Sequence, residues 1–149
     1  MIYNLNKRKE INIMSYCKKI NIIIVDKCKA FCNILNDYLV NQKNIVVTGI
    51  ANDGIEALKL IQEKKPDLVL LSIIMPNIDG LEVLDRLKTM KVEPMPRIII
   101  LSAVSEPSII QRALALGANR YIVKPFDLNL FFKEIGQMFD NNVIKHLNL

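Results

Sequence analysis

With 149 residues, 51% hydrophobic and 23% charged, the chain has material for one domain around a single core, and its composition excludes a disordered polymer. No apolar run nears the roughly 18 residues that cross a bilayer, and no apolar segment follows the charged patch Lys7–Glu10, so neither a membrane anchor nor a secretory signal is expected and the chain is assigned to the cytoplasm. The net charge of +5 gathers at Lys7, Arg8, Lys9, Lys18 and Lys19; lacking a recognition helix, zinc spacing or interleaved aromatics, it reads as a solvated extension and argues against nucleic-acid binding.

Residues 1–19 show no sustained periodicity and are expected to form a flexible extension, within which Met14 is an alternative start. From residue 20 the pattern turns regular. Apolar runs at Ile20–Val25, Ile45–Ala51, Leu68–Leu71, Ile98–Leu101 and Tyr121–Val123 are strand-length, rich in β-branched residues and bounded by turn signals. Helical spacing fills the gaps. Phe31, Ile34, Leu35, Tyr38 and Leu39 form one expected buried face, and Ile55, Leu58 and Ile61 another, after an Asn52-Asp53-Gly54 turn that can cap it. Leu81, Val83, Leu84 and Leu87 mark the third helix. Ile109, Ile110, Ala113 and Leu114 mark the fourth, with Ser105 as expected N-cap, Pro107 in the first turn and Gly117 as the stop. The last helix is expected over about Leu128–Phe139, followed by a tail over 141–149. Its many apolar residues, Phe126, Leu128, Leu130, Phe131, Phe132, Ile135, Met138 and Phe139, exceed one inward stripe. They serve either an exposed protein-binding patch or extra core contacts.

Strict alternation of five apolar strands with five helices predicts an α/β domain over 20–140: a flavodoxin-like three-layer sandwich with a five-stranded parallel sheet. In such sheets function gathers beyond the carboxyl ends of the strands. That singles out Asp26-Lys27, Ser72, Ser102 and Lys124. The three cysteines, Cys17, Cys28 and Cys32, are too sparse for a disulfide scaffold. Cys28 and Cys32 are read as reduced thiols, at least one packed as a small hydrophobe.

Four motifs at this order and spacing resemble the CheY-like receiver domain of two-component response regulators. They are Ile22–Asp26, Ile73-Ile74-Met75-Pro76-Asn77-Ile78-Asp79-Gly80, Leu101-Ser102-Ala103 and Val123-Lys124-Pro125-Phe126. Ile73–Pro76, Asp79-Gly80-Leu81 and Lys124–Asp127 are also similar to the receiver of stage 0 sporulation protein A. The resemblance implies the sheet order 2-1-3-4-5. It also implies a pocket in which an Asp after the third strand accepts a phosphoryl group, two acids after the first strand hold Mg²⁺, and a hydroxyl and a lysine bind phosphoryl oxygens. Here the acceptor position is Ser72 and the second acid is Lys27, while Asp26, Ser102 and Lys124 are kept.

Against the family's three Asp and one Lys, the charges of Asp26, Lys27 and Lys124 sum to +1. Mg²⁺ binding is therefore expected to be lost, leaving no cofactor, and a serine hydroxyl lacks a base to activate it. Asp53 and Asp79 are conceivable surrogate acceptors, though each precedes a glycine at a helix start, which suits a cap. Lys27 is expected either to replace the missing cation by pairing with Asp26 or to point to water. Tyr121 matches the family's switch aromatic, and Lys124-Pro125 its cis-proline turn.

The expectation is a stand-alone pseudo-receiver, not an enzyme, that binds a histidine kinase, a phosphotransferase or a related response regulator. Homodimer formation stays open. The alternatives are a regulator like stage 0 sporulation protein A without its DNA-binding domain, and an active acceptor using Ser72 or another residue.

Overall fold

Runs such as Ile22–Val25 and Ile98–Ile100 carry consecutive β-branched side chains, which fit a pleated surface better than a helix. All five apolar runs are strands in the computed structural model, which describes residues 19–147, with side chains described through Phe139. Residues 1–18 of the expected 1–19 extension, with the Met14 start and Cys17, lie outside the described residues.

The strands are β1 (Ile20–Val25), β2 (Ile45–Ala51), β3 (Leu68–Leu71), β4 (Arg97–Ser102) and β5 (Arg120–Val123). Every pairing is parallel and the order is β2-β1-β3-β4-β5, the flavodoxin-like arrangement. Between Ile22 and Ile23 the register with β2 slips by one residue, leaving Thr48 as the extra residue; its hydroxyl donates to Ile22 O at 3.3 Å.

The helices are α1 (Lys29–Val40), α2 (Gly54–Lys64), α3 (Gly80–Thr89), α4 (Pro107–Ala115) and α5 (Leu128–Leu147). Ile20–Pro125 forms one compact unit and the chain from Phe126 belongs to another. In the first unit, Ile23, Val25, Val69, Leu71, Ile98 and Ile100 point to one sheet face, where Ala57, Leu58 and Ile61 of α2, Leu84 and Leu87 of α3 and Ala113 of α4 bury against them. The alternate residues Ile22, Ile24, Leu68, Leu70, Ile99 and Leu101 point the other way and are equally buried. Inward from α1 come Cys32, Leu35 and Leu39. In the second unit, Asp127 Oδ1 accepts from Leu130 N–H at the start of α5, the rings of Phe126 and Phe131 lie 5.3 Å apart, and Phe131, Ile135 and Met138 are buried.

Several expectations need correction. Ser105 is not the cap of α4: Pro107 takes the first helical position and forces extended backbone on Glu106, which becomes the N-cap without a side-chain bond. Ile34, Ile55 and Leu114 are exposed. The inward stripe of α1 keeps Leu35 and Leu39 of the expected face and adds Cys32 in place of Ile34, and α2 turns in Ala57 rather than Ile55. Of the apolar residues weighed around the last helix, Phe131, Ile135 and Met138 are buried, Leu130 is exposed, and Phe126, Leu128, Phe132 and Phe139 are partly buried. The helix also runs on to Leu147, past the expected end at Phe139, because no Gly or Pro interrupts it beyond Gly136. Gly117, at φ 113, stops α4 as expected.

Candidate functional site

Parallel strands present their carboxyl ends side by side, and here each ladder is carried one step past its strand. Asp26 N–H donates to Ala51 O at 3.0 Å, Ser72 N–H to Val25 O at 2.9 Å, and Lys124 N–H to Ser102 O at 2.9 Å. Main-chain bonds thus bring Asp26, Ser72, Ser102 and Lys124 to one crevice. Among the described residues, the buried polar side chains are Asp26, Ser72 and Ser102 and no others. Burying polar groups costs free energy unless they are bonded, so their gathering at one sheet end marks the place where the fold tolerates that cost.

Asp26 is held on every side. Its Oδ1 accepts from Cys28 N–H at 2.8 Å and its Oδ2 from Lys124 Nζ at 2.6 Å. Its main-chain oxygen accepts from Asn52 Nδ2 at 2.9 Å and from the Cys32 thiol at 3.5 Å. The side chains of the pair are 5% exposed for Asp26 and 23% for Lys124, so the charges meet in a largely dry setting. The ammonium also lies over the ring of Phe31, 3.7 Å from the centroid. Lys27 is exposed and forms no ion pair among the described residues. Of the two readings for Lys27, the exposed one is what the structure shows, and the partner of Asp26 is Lys124.

The Ser72 hydroxyl, on a residue 6% exposed, finds no hydrogen-bond partner among the described residues. Ser102 Oγ accepts from Val104 N–H at 3.2 Å, and Tyr121 donates its phenol to Val104 O at 2.6 Å. Burial pushes the Tyr121 phenol above its ordinary range, and a bond with the Ser102 hydroxyl offsets part of that rise. Tyr121 is thus tied to the segment after β4 rather than lying as a plain strand aromatic. Cys32 is pushed up to about 11, first by burial and then by the Asp26 carboxylate and Cys28, which keeps it a protonated thiol. Cys28 is exposed and free.

Around the crevice the loops are set by their own chemistry. Asp53 Oδ1 caps α2 by accepting from Ile55 and Glu56 N–H, and Asp79 Oδ1 caps α3 from Glu82 N–H. Both aspartates serve as caps, as their Asp-Gly positions suggest. Gly80 N–H donates to Ile73 O at 2.7 Å, and a Cβ there would collide with Ser72 O, so only glycine allows the loop to close this tightly. The Lys124-Pro125 peptide is cis. Phe31, Asn52 and Cys32 were not expected at the site. Asn52 follows β2 directly, a position that the strand-end rule covers; Phe31 carried only the signal of an apolar helix residue.

The sequence matches the family described as response regulator receiver domain over residues 22–136. The chain belongs to that family. Among solved structures, this receiver is 31% identical to the response regulator domain of Thermotoga maritima CheB, with a TM-score of 0.67 over 89% of this chain and 98% of that one. A two-component response regulator from Clostridium difficile is 26% identical, with a TM-score of 0.74 over 81% of this chain and 96% of that one. CheY from Borrelia burgdorferi, solved with CheX, BeF3 and Mg²⁺, is 27% identical, with a TM-score of 0.71 over 80% and 89%. Receiver domains are signalling modules that engage other signalling proteins, as the CheX–CheY complex illustrates. Among the described residues, no helix is long and apolar enough to cross a membrane.

Proposed function

We propose that this receiver has exchanged phosphoryl chemistry for a fixed, metal-independent pocket and signals by binding a partner protein. The Lys124–Asp26 pair carries the proposal. Mg²⁺ takes near-octahedral oxygen ligation through carboxylates, and this pocket offers one carboxylate whose two oxygens already bind Cys28 N–H and Lys124 Nζ. Among the described residues, no three His, Cys, Asp or Glu side chains gather as a metal site. The residues present therefore do not fit the divalent ion that family chemistry uses. Ser72 stands at the acceptor position with no carboxylate or imidazole bonded to its hydroxyl, so nothing removes its proton. The partner class is a histidine kinase, a phosphotransferase or a related response regulator. The Ile73–Pro76 and Lys124–Asp127 motifs support sporulation-type regulation as the setting.

Intact-mass measurement after incubation with acetyl phosphate and Mg²⁺, then with a candidate kinase or phosphotransferase, tests this reading beside an active receiver. The wild type is expected to keep its mass while a Ser72→Asp, Lys27→Asp double variant gains a phosphoryl group. Phosphoryl uptake by the wild type would overturn the proposal, and mapping the adduct would identify the acceptor.

A further inference from the structure

Both members of the buried pair are held by one helix end. The carboxylate of Asp26 is fixed by the N–H of Cys28, the N-cap of α1, and the ammonium of Lys124 lies against Phe31, the third residue of α1. We infer that Phe31 is a positioning residue: its ring face holds the Lys124 ammonium on Asp26 and so keeps the pocket in its single closed arrangement. The inference deepens the proposed function and rests on that reading of the pair as a fixed, metal-independent device.

Lysine is a poor self-positioning group. Its head is a compact charge with three donors on a four-carbon stem, and water competes for it. Lys124 keeps 23% of its side chain exposed, so a route to solvent exists. The hydrogen bond to Asp26 Oδ2 occupies one of its donors. The ring supplies a second hold on the head. An aromatic face within about 6 Å of an ammonium attracts it through the ring quadrupole, and 3.7 Å to the centroid is well inside that range. The same ring shields the ammonium from water on that side. An aliphatic side chain of similar bulk would shield without attracting, so the role requires an aromatic residue rather than volume alone.

Because Cys28 and Phe31 share the first turn of α1, the carboxylate and the ammonium are registered to each other by that turn, independently of the strands that carry Asp26 and Lys124. Lys124 then becomes an internal counter-ion rather than a free pocket cation. Any ligand that recruits it must take it from the ring as well as from the carboxylate.

Competitive reductive methylation, read by peptide mass spectrometry, reports how often each lysine head is free, with exposed Lys27 and Lys29 as internal references. In the wild type, Lys124 is expected to react more slowly than both. Phe31→Met should raise Lys124 labelling roughly fivefold with the references unchanged, and Phe31→Leu should do the same. Phe31→Tyr, which keeps a ring face, should stay near wild type. The positioning role is overturned if Phe31→Met labels Lys124 at the wild-type rate, or if Phe31→Tyr accelerates it as much as Phe31→Met does. Unchanged Lys27 and Lys29 rates separate a local release from loss of fold. A wild type that takes no phosphoryl group while Phe31→Met labels normally would sink this inference alone.

Discussion

Replacing Lys124 with Met removes the ammonium and keeps most of the stem's volume. What stays behind is a carboxylate 5% exposed, with a single main-chain N–H on Oδ1 and nothing on Oδ2. Stripping one partner from a buried pair typically costs about 3–5 kcal/mol. The 23% exposure of Lys124 means that water already reaches the pair, which places this case at the low end, about 3 kcal/mol. For a chain of this size that corresponds to roughly 9 °C in Tm. The reverse change, Asp26→Asn, is milder. Lys124 can turn its head to water, and the amide oxygen can still accept from Cys28, so about 1 kcal/mol is expected. The double variant strands no charge and should be more stable than Lys124→Met alone. Urea unfolding at neutral pH, followed by far-ultraviolet circular dichroism, closes the cycle for the four proteins. If Lys124→Met costs under about 1 kcal/mol, or if Asp26→Asn costs more than Lys124→Met, the pair is not a buried, mutually dependent unit and the argument built on it fails.

Gly80→Ala should destabilise by about 2–3 kcal/mol, because its Cβ meets main-chain atoms of Ser72 and Ile73, whereas Gly49→Ala crowds the end of Leu60, touches Ile23 at ordinary contact distance and should cost under about 1 kcal/mol. Equal costs in thermal melts would show that the loop after β3 yields more easily than its contacts suggest. Cys32 sets an alkaline limit. Its thiol ionises near 9.0 in free chain and near 11 when folded, so the folded state binds more protons across that window and stability falls as pH rises through it. The full loss is about 2–3 kcal/mol at 1.36 kcal/mol per unit. Cys32→Ala should flatten that slope in chemical denaturation from pH 8 to 11; an unchanged slope would assign it to other groups, of which Tyr121, also raised, is the first to examine by Tyr121→Phe.

The sheet was legible because its code is local. Each strand declares itself by a continuous apolar run, and the order follows from the motif resemblance and the right-handed crossover rule. Helix existence was equally clear, but helix rotation was not. Ile34 and Ile55 fit the expected periodicity and face outward, since the spacing that sequence reveals also admits residues at the margin of the buried stripe. Ser105 was read as a cap from its residue type, while the decision lay with Pro107, two positions on. At the site, the strand-end rule named Asp26, Lys27, Ser72, Ser102 and Lys124, and main-chain bonds gather all of these but Lys27 at one sheet end. As a partner for Asp26 only Lys27, adjacent in sequence, was weighed. Lys27 is exposed, and the parallel ladder delivers Lys124 from 98 residues away. Phe31 escaped notice because a ring beneath an ammonium is a property of two elements, and neither announces it alone.

The slip in register between β1 and β2 bears on how copies of this chain avoid one another. β2 and β5 are the two rims of the sheet. A bulge at Thr48 twists the β2 rim and turns its hydroxyl back onto Ile22 O, so an incoming strand would find no straight run of free donors and acceptors there. The β5 rim is four residues long and closes with Pro125, which has no N–H to offer. Open parallel sheets are prone to grow sideways into aggregates, and both rims of this one are blunted. Contacts with other proteins are thereby left to helices and loops, where side-chain identity rather than main-chain pairing sets selectivity.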